Sequence, residues 1–315
     1  MRHVPLAILL LVCLTATAMA DGAPYHAGVI RLTVPARLPF DTLVWYPTQA
    51  PETPWQAGPF SIPATRDAPF AAGRFPVVLM SHGGGLTGGS PLVLRDLSAS
   101  LARAGFVVIA PFHGKAALPL RPLQVGWAFD AARADARVAP HIDTARLGML
   151  GFSLGTAVTL ELAGAIPNDA HLRSYCATHG QDVMSCGHAP SGGAHTGTAP
   201  PRVVPLPLKA IVLLDAYAVL FGQPDLTAVT MPVLLFRPEQ SEMPGEANTF
   251  ALRDALPRRP ALHMVPGGHF VFTDVCPAEE RVQSPEACGD PPGVDRAAVH
   301  RTVEKDVEAF FHSTL

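Results

Sequence analysis

A serine between two glycines is the residue of this chain best suited to chemistry. Residues 151–155 read Gly-Phe-Ser-Leu-Gly, after the apolar run 147–150 and before the apolar positions of 157–162. This pattern predicts a strand, a tight turn with Ser153 at its tip, and a helix. Glycine is needed on both sides because larger side chains would collide where the strand and the helix approach each other. A serine held in this way is suited to attack an acyl carbon.

The serine needs a base, because a serine hydroxyl is a poor nucleophile at neutral pH. His269 follows the strand predicted to end near Val265 and comes after two glycines, so we expect it at the same sheet edge as Ser153. His263 lies inside that strand, where a packed histidine is the simpler interpretation. We therefore predict that His269 is the base.

An acid is then needed to orient the base, and three carboxyl residues are candidates. Asp215 directly follows the aliphatic run 211–214, whereas Glu239 and Glu242 follow the next predicted strand. We favour Asp215, because a charge beside four buried aliphatic residues is costly unless it has a polar partner. The two glutamates stay open as alternatives, as does a simple role for Asp215 in capping the next turn.

Backbone donors for a developing negative charge are expected in the glycine-rich segment 81–85, Ser-His-Gly-Gly-Gly, which follows the apolar run 75–80. Glycines let backbone N–H groups approach a substrate closely. We predict that the amides of Gly84 and Leu154 form this oxyanion hole. His82 is expected to hold the segment by hydrogen bonds, with proton transfer as the less favoured alternative.

The order of apolar runs predicts an α/β fold, with a mostly parallel central sheet and helices on both faces. Strands are expected at 75–80, 106–110, 147–152, 210–214, 232–236 and 261–265, after an antiparallel entry at 28–34 and 42–46; the main helices are expected at 91–104, 125–137 and 294–312. Residues 21–315 suit a single domain. The segment of about 166–207, rich in Pro, Gly, His and Ser, is predicted to be a loop insertion, and a role as a roof over the site stays open.

The first twenty residues read as a signal peptide. Arg2 and His3 form a basic start, residues 5–14 an apolar core, and residues 18–20 a small-residue cleavage site. The apolar core is too short to span a membrane. We therefore expect an exported protein, periplasmic or secreted. With a formal net charge of −3 at pH 7 and no block of Lys or Arg, nucleic acid is not an expected partner.

Four cysteines remain after this leader, in two close pairs: Cys176 with Cys186, and Cys276 with Cys288. In an oxidising compartment this spacing predicts two local disulfides. A zinc site with the neighbouring His179 and His188 is the alternative, but the spacing matches no usual structural zinc pattern. No metal or cofactor is expected.

Five segments together resemble a known family. They are GRFPVVLMSHGGG, the pair Arg121-Pro122, GFSLG, AIVLLDAYAVLF and GGHFVFTDVC. They look like the bacterial proteins called predicted dienelactone hydrolases, which are similar to platelet-activating-factor acetylhydrolases within the α/β-hydrolase superfamily. The resemblance runs from about residue 28 to the last cysteine.

The resemblance implies an ester hydrolase with Ser153 as nucleophile, His269 as base and Asp215 as acid, and with oxyanion donors at Gly84 and Leu154. Two departures from the family matter. True dienelactone hydrolases use a cysteine nucleophile, so the serine argues against dienelactone itself as substrate. The acid also lies about sixty residues beyond the serine, further than in the acetylhydrolases, because the cysteine-bearing insertion intervenes.

The sequence thus favours an exported serine esterase that acts on small or short-acyl esters through an acyl-enzyme intermediate. An amide, lactone or polyester hydrolase would use the same residues. A catalytically silent binding protein of the same fold is the alternative from another class.

Overall fold

A nine-stranded sheet runs through the part of the chain that the computed structural model describes, residues 25–84, 89–187 and 203–315. Its strands are β1 (His26–Val34), β2 (Phe40–Thr48), β5 (Thr65–Arg66), β6 (Phe75–Ser81), β7 (Val107–Pro111), β8 (Ile142–Phe152), β9 (Ala210–Leu214), β10 (Val233–Pro238) and β11 (Ala261–Val265), and β3 (Trp55–Ala57) and β4 (Phe60–Ile62) form a separate pair. Their order is β11-β10-β9-β8-β6-β7-β2-β1-β5. The strands from β11 to β7 are parallel, and β2 is antiparallel to both β7 and β1.

Helices cover both faces of this sheet. They are α1 (Arg95–Arg103), α2 (Arg121–Ala134), α3 (Leu154–Leu162), α4 (Asp169–Thr178), α5 (Val183–Cys186), α6 (Thr249–Ala255), α7 (Ala278–Gln283), α8 (Pro285–Cys288) and α9 (Arg296–Thr314), with 3-10 turns at Pro91–Leu94, Leu118–Leu120, Ala139–His141, Gln223–Leu226 and His269–Phe272. Buried residues of α2 and α3 belong to one apolar cluster, and those of α1 and α9 to a second. Within the described ranges, no helix is long and apolar enough to cross a membrane.

The expected architecture, a mostly parallel sheet with helices on both faces, is confirmed. Central strands carry continuous apolar runs because both of their faces are covered, and all five residues of β9 are buried. The predicted helix 91–104 is instead a 3-10 turn followed by α1. The predicted helix 125–137 begins earlier, with Pro122 in its first turn, and ends before the extended Asp135.

The sequence predicts a loop for the insertion at 166–207, whereas the structure shows that part of it is helical. Its described first half contains α4 and α5, which begin at side-chain caps from Asn168 and Asp182. The disulfide Cys176–Cys186 joins these two helices, and Cys276–Cys288 staples the segment of α7 and α8. Both predicted pairs therefore form. Three parts of the sequence analysis lie outside the described residues: the signal peptide, Gly85, and residues 188–202, which include His188.

The turn between β8 and α3 depends on close backbone contacts at two glycines. A Cβ atom on Gly155 would lie 1.9 Å from the carbonyl oxygen of Ser81, and one on Gly151 would lie 2.4 Å from the carbonyl oxygen of Gly155. The neighbouring atoms belong to the backbone and cannot move aside as a flexible side chain could. Glycine at both positions lets β6, β8 and α3 meet at Ser153.

Gly155→Ala should therefore lower the free energy of unfolding by about 3 kcal/mol or more, since overpacking against backbone requires the elements to shift. Gly126→Ala is the matched control. Gly126 lies inside α2 with nothing within 4 Å of its Cβ position, so alanine there should add about 0.5–1 kcal/mol. Urea unfolding of both variants measures the difference, and an equally stable Gly155→Ala protein would contradict the packing argument.

A buried carboxyl group lies in α3, the helix that follows Ser153. Glu161 is 5% exposed. Burial, with a smaller contribution from Asp169, raises the pKa of Glu161 from 4.5 to about 8. In the unfolded chain this carboxyl group ionises near its ordinary pKa, so unfolding releases a proton between these two values. This group therefore contributes stability below about pH 4.5 that is lost as the pH rises towards 8.

Glu161→Gln should remove this pH dependence. We expect the variant to gain about 2 kcal/mol or more relative to the wild type between pH 5 and pH 8, because one pKa unit corresponds to about 1.4 kcal/mol. Urea unfolding at pH 5, 6.5 and 8 measures the gain. The exposed Glu279→Gln serves as control and should show no such trend. A gain for Glu161→Gln that did not grow with pH would contradict the prediction.

Candidate active site

Three polar residues follow the carboxyl ends of neighbouring strands. Ser153 comes directly after β8, Asp215 directly after β9, and His269 four residues after β11. The ladder continues past the strand ends, since Ser153 N donates to Leu214 O at 3.0 Å and Asp215 N donates to Phe236 O at 2.9 Å. Parallel strands end at one edge of the sheet, which brings these side chains together.

The three side chains form a continuous hydrogen-bonded chain. His269 Nε2 lies 2.9 Å from Ser153 Oγ, and His269 Nδ1 lies 2.6 Å from Asp215 Oδ2. The exposed fractions of Ser153, His269 and Asp215 are 7%, 2% and 0%. A carboxylate can only accept, so Nδ1 carries the proton and Nε2 accepts from the serine hydroxyl. The arrangement can transfer a proton from the serine to the imidazole.

The alternative acids and the alternative base occupy other places. Glu242 Oε2 accepts from the backbone N of His269 at 2.9 Å, so it supports the turn and not the ring. Glu239 donates its backbone N to Val265 O. His263 pairs with Asp306 of α9 at 2.8 Å.

Two further residues hold the Asp215 carboxylate, and sequence reasoning missed both. Ser241 Oγ donates to Oδ2 at 2.5 Å, and Arg237 Nη1 lies 3.4 Å from Oδ1. Arg237 is itself 7% exposed and donates to Met243 O. An arginine inside the apolar run of β10 was the available signal, because a buried cation needs an anionic partner.

Both Ser153 and Asp215 have backbone conformations that are rare for residues with a side chain. Their φ angles are +53° and +42°. Such conformations cost on the order of 1–3 kcal/mol each and occur preferentially at functional sites. At Ser153 the strained turn is the one expected for a nucleophile between strand and helix.

The glycine segment after β6 lies against the serine. A Cβ atom on Gly83 would lie 3.1 Å from Ser153 Cβ, and one on Gly84 would lie 2.9 Å from Leu154 Cδ2. Leu154 is the first residue of α3, so its N–H has no acceptor within the helix. The two backbone amides predicted as oxyanion donors thus belong to segments that border Ser153.

Within the described part of the chain, the hydrogen bonds of the His82 ring go to backbone groups. Its Nε2 accepts from His113 N at 3.3 Å, so its Nδ1 carries the proton and donates to Gly83 O at 2.6 Å. Burial is the main cause that lowers the pKa of His82 to about 3. A ring that stays neutral is suited to hold this segment. His113, which the sequence did not single out, bonds Ser81 Oγ and Gln124 Oε1, and burial lowers its pKa as well.

The insertion packs against the segment that follows Asp215. Tyr217 donates its hydroxyl to Ser185 O at 2.9 Å. The fully buried Asn248 accepts from the backbone N of Ala218 and Val219 and donates to Ser185 Oγ at 2.8 Å. Asn248 therefore connects α5 to the backbone beyond the buried carboxylate.

A cavity of about 860 Å³ lies between the insertion and the segment leading into α6. Its walls include Tyr175 and Val183 from the insertion, Phe221, and Glu242. Glu242 lies between this cavity and the turn that carries His269, because its carboxylate also accepts from the backbone N of that histidine. Among the described residues, no group of three His, Cys, Asp or Glu side chains is placed to hold a metal ion.

Comparison with known structures identifies the fold. A ferulic acid esterase from Streptomyces cinnamoneus superposes with a TM-score of 0.57 over 95% of this chain and 92% of that chain, at 18% sequence identity. The chain has an α/β-hydrolase fold. No protein-family model and no curated protein sequence matches this chain. At this identity the likeness establishes the fold alone.

Asn248→Ala should lower the free energy of unfolding by about 3 kcal/mol, because it leaves two buried N–H groups of Ala218 and Val219 without an acceptor. Asn168→Ala is the matched control. Asn168 caps α4 by accepting from His171 N, and loss of such a cap costs about 1 kcal/mol. Urea unfolding ranks the two variants, and an equal or larger loss for Asn168→Ala would contradict the role given to Asn248.

Proposed function

We propose that this protein is an exported serine hydrolase that cleaves carboxylic esters with small or short acyl groups. The observation that carries the proposal is the hydrogen-bonded chain of Ser153, His269 and Asp215 at a strained turn. The α/β-hydrolase fold, which a ferulic acid esterase shares, supports an ester as substrate. The two disulfides support an oxidising compartment.

In the first step, Ser153 Oγ attacks the ester carbonyl carbon while His269 Nε2 takes the hydroxyl proton. The carbonyl oxygen becomes an oxyanion that accepts from the backbone amides of Gly84 and Leu154. His269 then gives its proton to the departing alcohol, and the acyl group stays on the serine. Asp215 holds Nδ1–H and stabilises the positive charge that the ring carries between these transfers.

In the second step, a water molecule gives a proton to His269 Nε2 and attacks the acyl carbon. The second tetrahedral intermediate uses the same two amides. Its collapse returns the proton to Ser153 Oγ and releases the carboxylic acid. The two transfers between Ser153 and His269 follow the hydrogen bond of 2.9 Å between Oγ and Nε2, and none of the steps uses a metal or cofactor.

Hydrolysis of p-nitrophenyl esters from acetate to palmitate, with methyl ferulate alongside, tests the proposal on purified mature protein. Ser153→Ala should lower kcat by about 10⁴-fold or more. Ser98→Ala is the matched control, because Ser98 is also buried but lies on α1 and donates to Leu94 O. The chain-length optimum measures the acyl pocket. Full activity in Ser153→Ala would overturn the proposal.

Two variants of the proposed base and acid, each with a control variant, test this assignment. His269→Gln and Asp215→Asn should each lower kcat by about 10³-fold or more, since either change removes proton transfer or the correct tautomer. His263→Gln and Glu239→Gln should keep kcat within about threefold. The same p-nitrophenyl acetate assay measures all four variants. A loss of kcat confined to His263→Gln and Glu239→Gln would contradict the assignment of His269 and Asp215.

Covalent labelling by a fluorophosphonate separates an enzyme from a binding protein of the same fold. Labelling requires an activated serine, so we expect it in the wild type and not in Ser153→Ala. A folded wild type that neither reacts with the probe nor hydrolyses any ester would favour the binding protein.

A further inference from the structure

The pair Arg121-Pro122 has no part in the mechanism above, yet Arg121 lies beside the glycine segment. Arg121 is 3% exposed. Nη1 donates to Gly83 O at 3.2 Å, and Nε donates to Ala116 O at 3.1 Å. A Cβ atom on Gly84 would lie 2.8 Å from Nη2. The arginine is thus packed against the peptide group that joins Gly83 to Gly84.

The carbonyl end of this peptide group is held by two donors. The carbonyl oxygen of Gly83 accepts from both Arg121 Nη1 and His82 Nδ1. The C=O and N–H of one trans peptide point in opposite directions within a rigid plane. Donors that hold Gly83 O therefore also orient the N–H of Gly84, the predicted oxyanion donor. Gly83 itself borders Ser153.

The positive charge of Arg121 also favours the N–H of Gly84 as a donor. Burial lowers the pKa of Arg121 to about 10, so the guanidinium stays charged at neutral pH. A cation at the carbonyl oxygen draws electron density away from the amide and makes its N–H a stronger donor. Hydrogen bonds in a chain polarise one another in this way in a protein interior of low dielectric constant. His82 adds a neutral donor whose tautomer is fixed by His113 N.

We propose that Arg121 is a positioning residue for the oxyanion hole: its guanidinium, together with His82, fixes and polarises the Gly83–Gly84 peptide so that Gly84 N–H meets the oxyanion. The inference rests on the proposed function, because it concerns the transition state of that reaction. It assigns a role to a residue that contacts neither Ser153 nor His269 in the hydrogen bonds described above.

The test compares kcat, KM and inhibition by a trifluoromethyl ketone, whose carbonyl forms an oxyanion when Ser153 Oγ adds to it and the serine proton moves to His269. Arg121→Met should lower kcat for p-nitrophenyl acetate by about 10- to 100-fold with KM within about twofold, because an oxyanion donor acts mainly in the transition state. The inhibition constant should rise by a similar factor. Arg121→Lys keeps the charge and should lose only about fivefold in kcat.

Arg103→Met is the matched control. Arg103 donates to Pro63 O and pairs with Glu52, remote from the glycine segment, so this variant should lose stability with kcat and the inhibition constant within about twofold. A folded Arg121→Met with wild-type kcat, or with reduced kcat and an unchanged inhibition constant, would overturn the inference. If Arg121→Met does not fold, Arg121→Lys decides: changes below twofold in both kcat and the inhibition constant would overturn the inference.

Failure of the inference is distinguishable from failure of the proposed function. A wild type whose hydrolysis depends on Ser153, combined with unaffected Arg121 variants, would overturn only the role of Arg121. A wild type that hydrolyses no ester and does not react with the ketone would overturn both.

Discussion

Burial of the Asp215 carboxylate is the constraint on which the rest of the site depends. Its side chain is fully buried at the end of an all-apolar strand. The free energy needed to bury an isolated charge there would exceed the free energy of unfolding of a typical protein. Three partners offset this cost, and they come from three places: Arg237 in β10, Ser241 just after it, and His269 after β11. The charge is therefore tolerated only when the ends of three neighbouring strands are correctly assembled.

The same assembly holds two strained residues. Ser153 and Asp215 both have positive φ angles, and Ser153 N donates to the carbonyl oxygen of Leu214, the residue before Asp215. Their combined strain is on the order of 2–6 kcal/mol. Full burial of a single Val, Leu or Ile contributes about 1.5–3 kcal/mol, and every residue of β9 is buried. Burial of the apolar residues of β9 therefore offsets part of this strain.

Much of this arrangement could be predicted from the sequence, because its signals are local. Apolar runs mark the strands, and residues that follow parallel strands lie at one edge, which placed Ser153, Asp215 and His269 together. Contacts between distant segments have no such pattern: Asn248 meets Ser185 across 63 positions, and Ser241 looks like any loop serine. The helices α4 and α5 were missed because composition suggested a loop, although Asn168 and Asp182 were possible caps.

Three buried histidines show why residue type alone does not assign a role. His82 and His113 face backbone groups, a side-chain amide and the cationic Arg121, and burial, with Arg121 acting in the same direction, lowers the pKa of each. His269 is buried to a similar extent but faces the carboxylate of Asp215 on one side and a hydroxyl on the other. A ring beside a carboxylate can accept a proton, whereas a ring beside an arginine can only hold its neighbours in place. The proposed division between a histidine that transfers protons and histidines that fix the glycine segment therefore follows from the charge beside each ring.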